Sequence, residues 1–308
     1  MIGGFLGTLI ALEKIIPLKR KILYLIPVLS GGSIFLFIVG LGNYALLCLL
    51  IASFGLNVVF FIYWTRERSL IYLLMVVGAG CWLIGNILLL RTHFYPISIS
   101  WWMAFVLLVI TAERLELMKF LPVSQSKKNI FIALLILFLA GCVLSFHYNG
   151  NYLTGLALMG ISVWLMKYDV IGINLKREGL VKYIGIALLS GYTALLLSGM
   201  LLIVLSEKSM GYDATLHSFF IGFVLAMIFA HGPIILPGVL GISLKPYHSF
   251  FYFWLLMLHL SWIIRTVADI GLNMEVRQYS GWASAIAIVG YFITLAFITI
   301  RSQREKVV

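Results

Sequence analysis

The sequence predicts an all-α, polytopic transmembrane helix bundle of about eleven spans, and three observations carry that prediction. Hydrophobic residues make up 62% of the 308 and charged residues only 11%, with a mean hydropathy of +1.08; a water-soluble domain is about one quarter charged. The apolar runs reach roughly 20 residues without alternation, the length of a membrane-crossing helix and not the pattern of a barrel strand. The basic residues fall to alternate ends of those runs, as the positive-inside rule requires. Backbone groups in lipid must bond internally, so helices are the remaining solution.

The runs, read between polar breaks, are 1–17, 22–40, 43–64, 69–90, 96–119, 129–147, 152–171, 181–206, 213–236, 248–271 and 281–301. Short breaks carry turn chemistry, as at Leu41-Gly42-Asn43 and Asn149-Gly150-Asn151. No linker is long enough to separate domains, so residues 1–308 read as a single transmembrane helical domain. The first run is the weak one. Only about 12 apolar residues precede Glu13 and Lys14, roughly 18 Å of helix, against a hydrocarbon core of about 30 Å. A truncated first span, whose natural start lies upstream, is the expectation.

Arg91, Lys208, Arg265 and Arg277 lie on one side of the predicted bundle, and the other 18 of the 22 basic residues, Lys245 among them, lie on the opposite side. A miscounted helix would mix the two sets from that point onward. The bias therefore predicts the N-terminus outside and the C-terminus in the cytoplasm. It also accounts for the net charge of +11 as topology, with no nucleic-acid partner. Cys48, Cys81 and Cys142 sit singly in apolar runs and read as small buried hydrophobes.

Ionisable residues at membrane depth are costly, and each is a candidate site. An outer set comprises His93, His147, Asp213, His217, His259, Arg265 and Asp269. Asp213 and His217 share a helix face, and Arg265 and Asp269 form a second i,i+4 pair. His231 follows His217 by 14 residues, which on a straight α-helix is a similar face about 21 Å deeper. His248 and His259, 11 residues apart, fall on one face by the same arithmetic. An inner set comprises Glu13, Glu113, Arg114, Glu116, Lys167 and Asp169, with His231 and His248 at similar depth, and reads first as ion pairs tying helix ends together. For His217 and His259 three readings stay open: structural hydrogen bonding between helices, ligation of a metal or haem, or proton transfer. Two prolines in His231-Gly232-Pro233 through Pro237-Gly238 each remove a backbone donor, which predicts a kinked or broken ninth helix.

The run Asp213-Ala-Thr-Leu-His217-Ser-Phe-Phe-Ile-Gly222-Phe-Val-Leu-Ala-Met227-Ile228, continuing to Leu236-Pro237-Gly238, resembles histidine-bearing helices of the NnrS family. Those are polytopic haem- and copper-containing proteins tied to nitric-oxide metabolism. More distantly, the run is similar to helices of the haem–copper oxidase catalytic subunit. Gly3-Gly4-Phe5-Leu6-Gly7-Thr8 resembles a helix that in such proteins carries a histidine just upstream. The likeness covers residues 1–20 and 210–270. It lacks an adjacent His-His pair, a His-x-His and the NnrS-type Leu-Gly-His-Thr-Gly-Arg, for which His231-Gly232-Pro233 is a loose counterpart. The resemblance implies haem b and/or copper as cofactor, with His217 as ligand, His231 and His259 behind it, and Arg265 facing haem propionates. It further implies respiratory or nitric-oxide-related metabolism in a bacterial or archaeal cytoplasmic membrane, with a redox partner or other membrane subunits. The competing reading is a transporter or channel for a small solute or ion, with the broken ninth helix lining the path. No motif in the sequence decides whether the protein is an enzyme.

Overall fold

The computed structural model describes residues 2–144, 149–242 and 246–307, and every extended regular element among them is helical. His147 and Lys245 lie outside the described residues. Among the described residues, each of the eleven apolar runs holds a helix. Nine helices among the described residues are long and apolar enough to cross a membrane. The two others are α1 (Ile2–Ile15), which has only 14 residues, and α7 (Gly150–Tyr168), whose Asn151, Thr154, Ser162 and Lys167 dilute its apolar character. The chain divides into two compact units, Met1–Leu121 and Pro122–Val308.

In the first unit, α1 is followed by α2 (Leu25–Ile38), α3 (Gly42–Arg66), α4 (Leu70–Thr92) and α5 (Tyr95–Leu117). Ser69 caps α4 through its hydroxyl, and Pro96 stands in the first turn of α5, where its missing N–H costs nothing. The core is α5: Met103 to Val109 are all buried, as expected for a helix that is apolar all round. Trp82 of α4 stacks on Phe105 at 4.9 Å. Ser30 of α2 donates to the Gly4 carbonyl at 2.8 Å and docks α1.

The second unit holds α6 (Gln125–Leu144), α7, the single turn α8 (Ile171–Asn174) and α9 (Gly179–Val204). Then come α10 (Gly211–His217), a π-helical segment Ser218–Leu225, α11 (Ala226–Val239), α12 (Phe251–Ile270) and α13 (Met274–Val307). Small residues on α9 let the α10–π–α11 rod lie close against it, and serines seal the seam. Ser218 donates to the Ala194 carbonyl at 3.0 Å and Ser198 to the Thr215 carbonyl at 3.3 Å. Large apolar side chains such as Phe253, Leu256 and Ile263 of α12 stay exposed, a surface suited to lipid rather than water.

Two expectations about the ninth apolar run need correction. Of the kink or break expected at the prolines, the break is absent, because α11 continues through both Pro233 and Pro237. Pro233 cannot donate to the carbonyl four residues back, that of Phe229, and the Tyr291 hydroxyl of α13 donates to it instead at 2.6 Å. The irregular stretch lies upstream, in Ser218–Leu225. There the wider π turns rotate less per residue than α turns do, so a straight-helix face relation between His217 and His231 does not apply. His248 likewise precedes α12 and accepts from the Phe250 backbone N–H at 3.1 Å, off the helix that carries His259.

Candidate functional site

Helical spacing assembles most of the site. Asp213 and His217 stand one turn apart on α10, and Arg265 and Asp269 one turn apart on α12. The connection to α13 closes quickly. Leu272 adopts a left-handed conformation (φ 55°), the Asn273 N–H returns to the Ala268 carbonyl at 2.9 Å, and the Asn273 side chain accepts from the Val276 N–H at 3.1 Å. That turn starts α13 at Met274, earlier than hydropathy alone predicts, and carries Arg277 back alongside the α12 pair.

The result is a four-charge cluster with a histidine at its edge. Arg265 donates to Asp213 Oδ2 from Nη2 at 2.9 Å and from Nε at 3.2 Å, and from Nη1 to the Arg277 carbonyl at 3.4 Å. Arg277 Nη2 lies 3.2 Å from the same Asp213 oxygen, while its Nε lies 3.0 Å from Asp269 Oδ1. Two carboxylates and two guanidiniums thus cancel in charge, which makes their partial burial tolerable. Arg265 is committed to protein acceptors through three of its nitrogens. It stands behind Asp213, and a role against propionates would have to use what remains of its fork.

The three histidines differ in which ring nitrogen the protein claims. His217 Nδ1 sits 2.9 Å from the Asp213 carbonyl and 3.3 Å from Asp213 Oδ2. Both neighbours are acceptors, so in the neutral ring Nδ1 carries the proton and Nε2 presents a lone pair. His231 is set the same way by the Met227 carbonyl at 2.7 Å. His259 is opposite. Trp262 Nε1–H donates to His259 Nδ1 at 2.9 Å, so the proton is on Nε2, which is buried without a hydrogen-bond partner. In that tautomer His259 offers a donor, not a ligand.

The remaining candidates lie elsewhere. In the first unit, Lys14 bridges Glu13 (2.7 Å) and Glu113 (3.2 Å), and Tyr63 donates to the Lys14 carbonyl at 3.0 Å; Arg114 is buried. In the second, Asp169 accepts from the Val170 N–H at 2.7 Å and from the Tyr192 hydroxyl at 2.5 Å. His93 ends α4 in a left-handed conformation. Lys14, Arg277, Tyr192 and Trp262 were not singled out as site residues by the sequence. Arg277 had the most findable signal, standing eight residues past Asp269 across a Gly-Leu-Asn turn.

A haem or metal can be tested against these donors. Among the described residues no three His, Cys, Asp or Glu side chains gather where they could hold one metal ion. A copper site built from His217, His231 and His259 together does not fit, because His259 presents N–H. His217 and His231 are each held through Nδ1, so in the neutral ring each presents Nε2 as a lone pair.

A family model described as a domain of unknown function, DUF8744, matches residues 1–300. No curated protein and no solved structure matches the chain.

Proposed function

We propose, for a chain that belongs to the DUF8744 family along nearly its whole length, the role of an integral membrane protein that holds haem b on His217. In this reading all eleven helices span, α1 and α7 included. The C-terminus is cytoplasmic, and the protein works in respiratory or nitric-oxide-related metabolism of NnrS-like type with a redox partner.

One observation supports the ligand. His217 Nδ1 is clamped between two acceptors of Asp213, leaving Nε2 for a metal. A ligating histidine characteristically gives its other N–H to a carboxylate or a backbone carbonyl, which fixes the ring and strengthens its donor nitrogen. Haem bound there would supply one-electron chemistry tuned by that imidazole. The protein's own part is positional: Asp213 orients His217, and Arg265 and Arg277 hold Asp213 in place.

The test is a reduced-minus-oxidised visible spectrum of the detergent-purified protein, with metal analysis. The expected result is a haem spectrum that His217→Ala abolishes and His259→Ala leaves in place. A preparation that stays colourless and metal-free after haem supplementation would end this reading.

A further inference from the structure

At one end of the second unit two lysines meet at one tyrosine ring. Trp164 Nε1–H of α7 donates to the Lys127 carbonyl in the first turn of α6 at 2.9 Å, which fixes these two helix ends side by side. The Trp164 ring stacks on Phe131 at 4.1 Å and leans on Tyr168 at 5.2 Å. The Lys127 ammonium stands 5.0 Å and the Lys167 ammonium 5.5 Å from the centroid of that Tyr168 ring.

The charge of this clamp selects an anion. The ring attracts both ammoniums by cation–π contact but neutralises neither, and two like charges brought to one ring repel each other. Neither lysine forms an ion pair with a described residue. The carboxylate next in the chain, Asp169, is buried, and it accepts from the Val170 N–H and the Tyr192 hydroxyl instead. The connection from α7 to α9, at the same end of the unit, adds Lys176 and Arg177 against Glu178.

The surroundings select a lipid over a free ion. Ile130 shares a face of α6 with Lys127, and Val163 shares a face of α7 with Lys167, each about one turn further along the bundle. Both apolar side chains are exposed, at 57% and 53%. Since α6 is long and apolar enough to cross a membrane, its first turn belongs at headgroup level, where Trp164 and Tyr168 suit the aromatic belt of the interface. We propose that the Lys127–Tyr168–Lys167 clamp binds the phosphate of an anionic phospholipid, whose acyl chains lie along Ile130 and Val163. A choline headgroup brings its own cation towards the two ammoniums and is disfavoured.

The test is native mass spectrometry of the full-length protein in detergent, titrated with phosphatidylglycerol, phosphatidylcholine or inorganic phosphate. Phosphatidylglycerol should bind saturably and about ten-fold more tightly than phosphatidylcholine, and Lys127→Gln and Lys167→Gln should each weaken it about five-fold, the worth of one lysine beside an anionic lipid surface. Lys167 is an exposed side chain, so its variant guards against a folding defect in Lys127→Gln. Lys208→Gln, beyond the far end of α9, removes the same charge away from the clamp and should bind as wild type does. The proposal is overturned if phosphatidylglycerol binds no more tightly than phosphatidylcholine, or if inorganic phosphate at equal concentration displaces it. It is equally overturned if Lys167→Gln binds as wild type does, or if Lys208→Gln weakens binding as much as the clamp variants. None of these readouts depends on haem at His217.

Discussion

The Tyr291 hydroxyl donates to the Phe229 carbonyl at 2.6 Å, the acceptor that Pro233, four residues on, has no N–H to serve. The two rings also stack at 3.8 Å, so α13 repairs and packs α11 at the same point. Tyr291→Phe keeps the stack and removes the donor. It should destabilise the protein by about 1–3 kcal/mol, the cost of a buried unsatisfied carbonyl. Pro233→Ala restores the backbone donor and should recover most of that loss in the double variant. Unfolding of the four proteins in detergent, analysed as a double-mutant cycle, checks this; additive effects would contradict the repair.

Arg277 is the only described side chain in ion-pair contact with both Asp213 and Asp269. Arg277→Met should cost roughly 2–5 kcal/mol, because it leaves Asp269 buried without a counter-charge. Arg277→Met combined with Asp269→Asn should regain a large part of it, since both charges then leave together. Chemical denaturation of the single and double variants measures the difference. Equal stability of the two would show that Asp269 does not need the guanidinium.

What the sequence made legible here, and what it hid, follows from which interactions are local. The apolar runs become helices because lipid-length hydrophobicity is a property of consecutive residues, and the Asp213–His217 and Arg265–Asp269 pairs follow from helical spacing alone. The start of α13 was hidden because Glu275, Arg277 and Gln278 are polar and drop out of a hydropathy window, although Asn273 caps a helix there. The proline pair pointed to a break because its remedy is a tyrosine 62 residues away. The π segment Ser218–Leu225 carries no proline or charge to betray it, and it alone changes which face His231 occupies relative to His217.

The histidine tautomers are a direct prediction. His217 should be the Nδ1–H form, held by the Asp213 carbonyl and carboxylate, and His259 the Nε2–H form, held by the Trp262 indole. Nitrogen-15 NMR of histidine-labelled protein at neutral pH separates the two by their ring shifts. Asp213→Asn, which keeps the backbone acceptor, should leave His217 in the Nδ1–H form. An Nε2–H signal for His217 in the wild type would remove the argument that its Nε2 is offered to a metal.

Gly222 sits in the π segment beneath the Trp262 indole, and the fate of His259 hangs on that contact. A Cβ at 222 would stand 2.8 Å from the Ala194 Cβ and 2.9 Å from Trp262 Cε2, closer than packed carbons allow. Ala194 is on α9 and cannot retreat without moving the seam that Ser218 seals on the Ala194 carbonyl, so the indole has to give. Gly222→Ala should therefore cost about 1–3 kcal/mol as an overpacked contact and also pull Trp262 Nε1 from His259 Nδ1. The second effect distinguishes this strain from a general loss of packing: the His259 ring signals should change as they do in Trp262→Phe, while those of His217 stay in place. Thermal unfolding measures the first effect and histidine NMR the second. A destabilised Gly222→Ala protein with unchanged His259 signals would mean that the α9 seam, not the indole, had yielded.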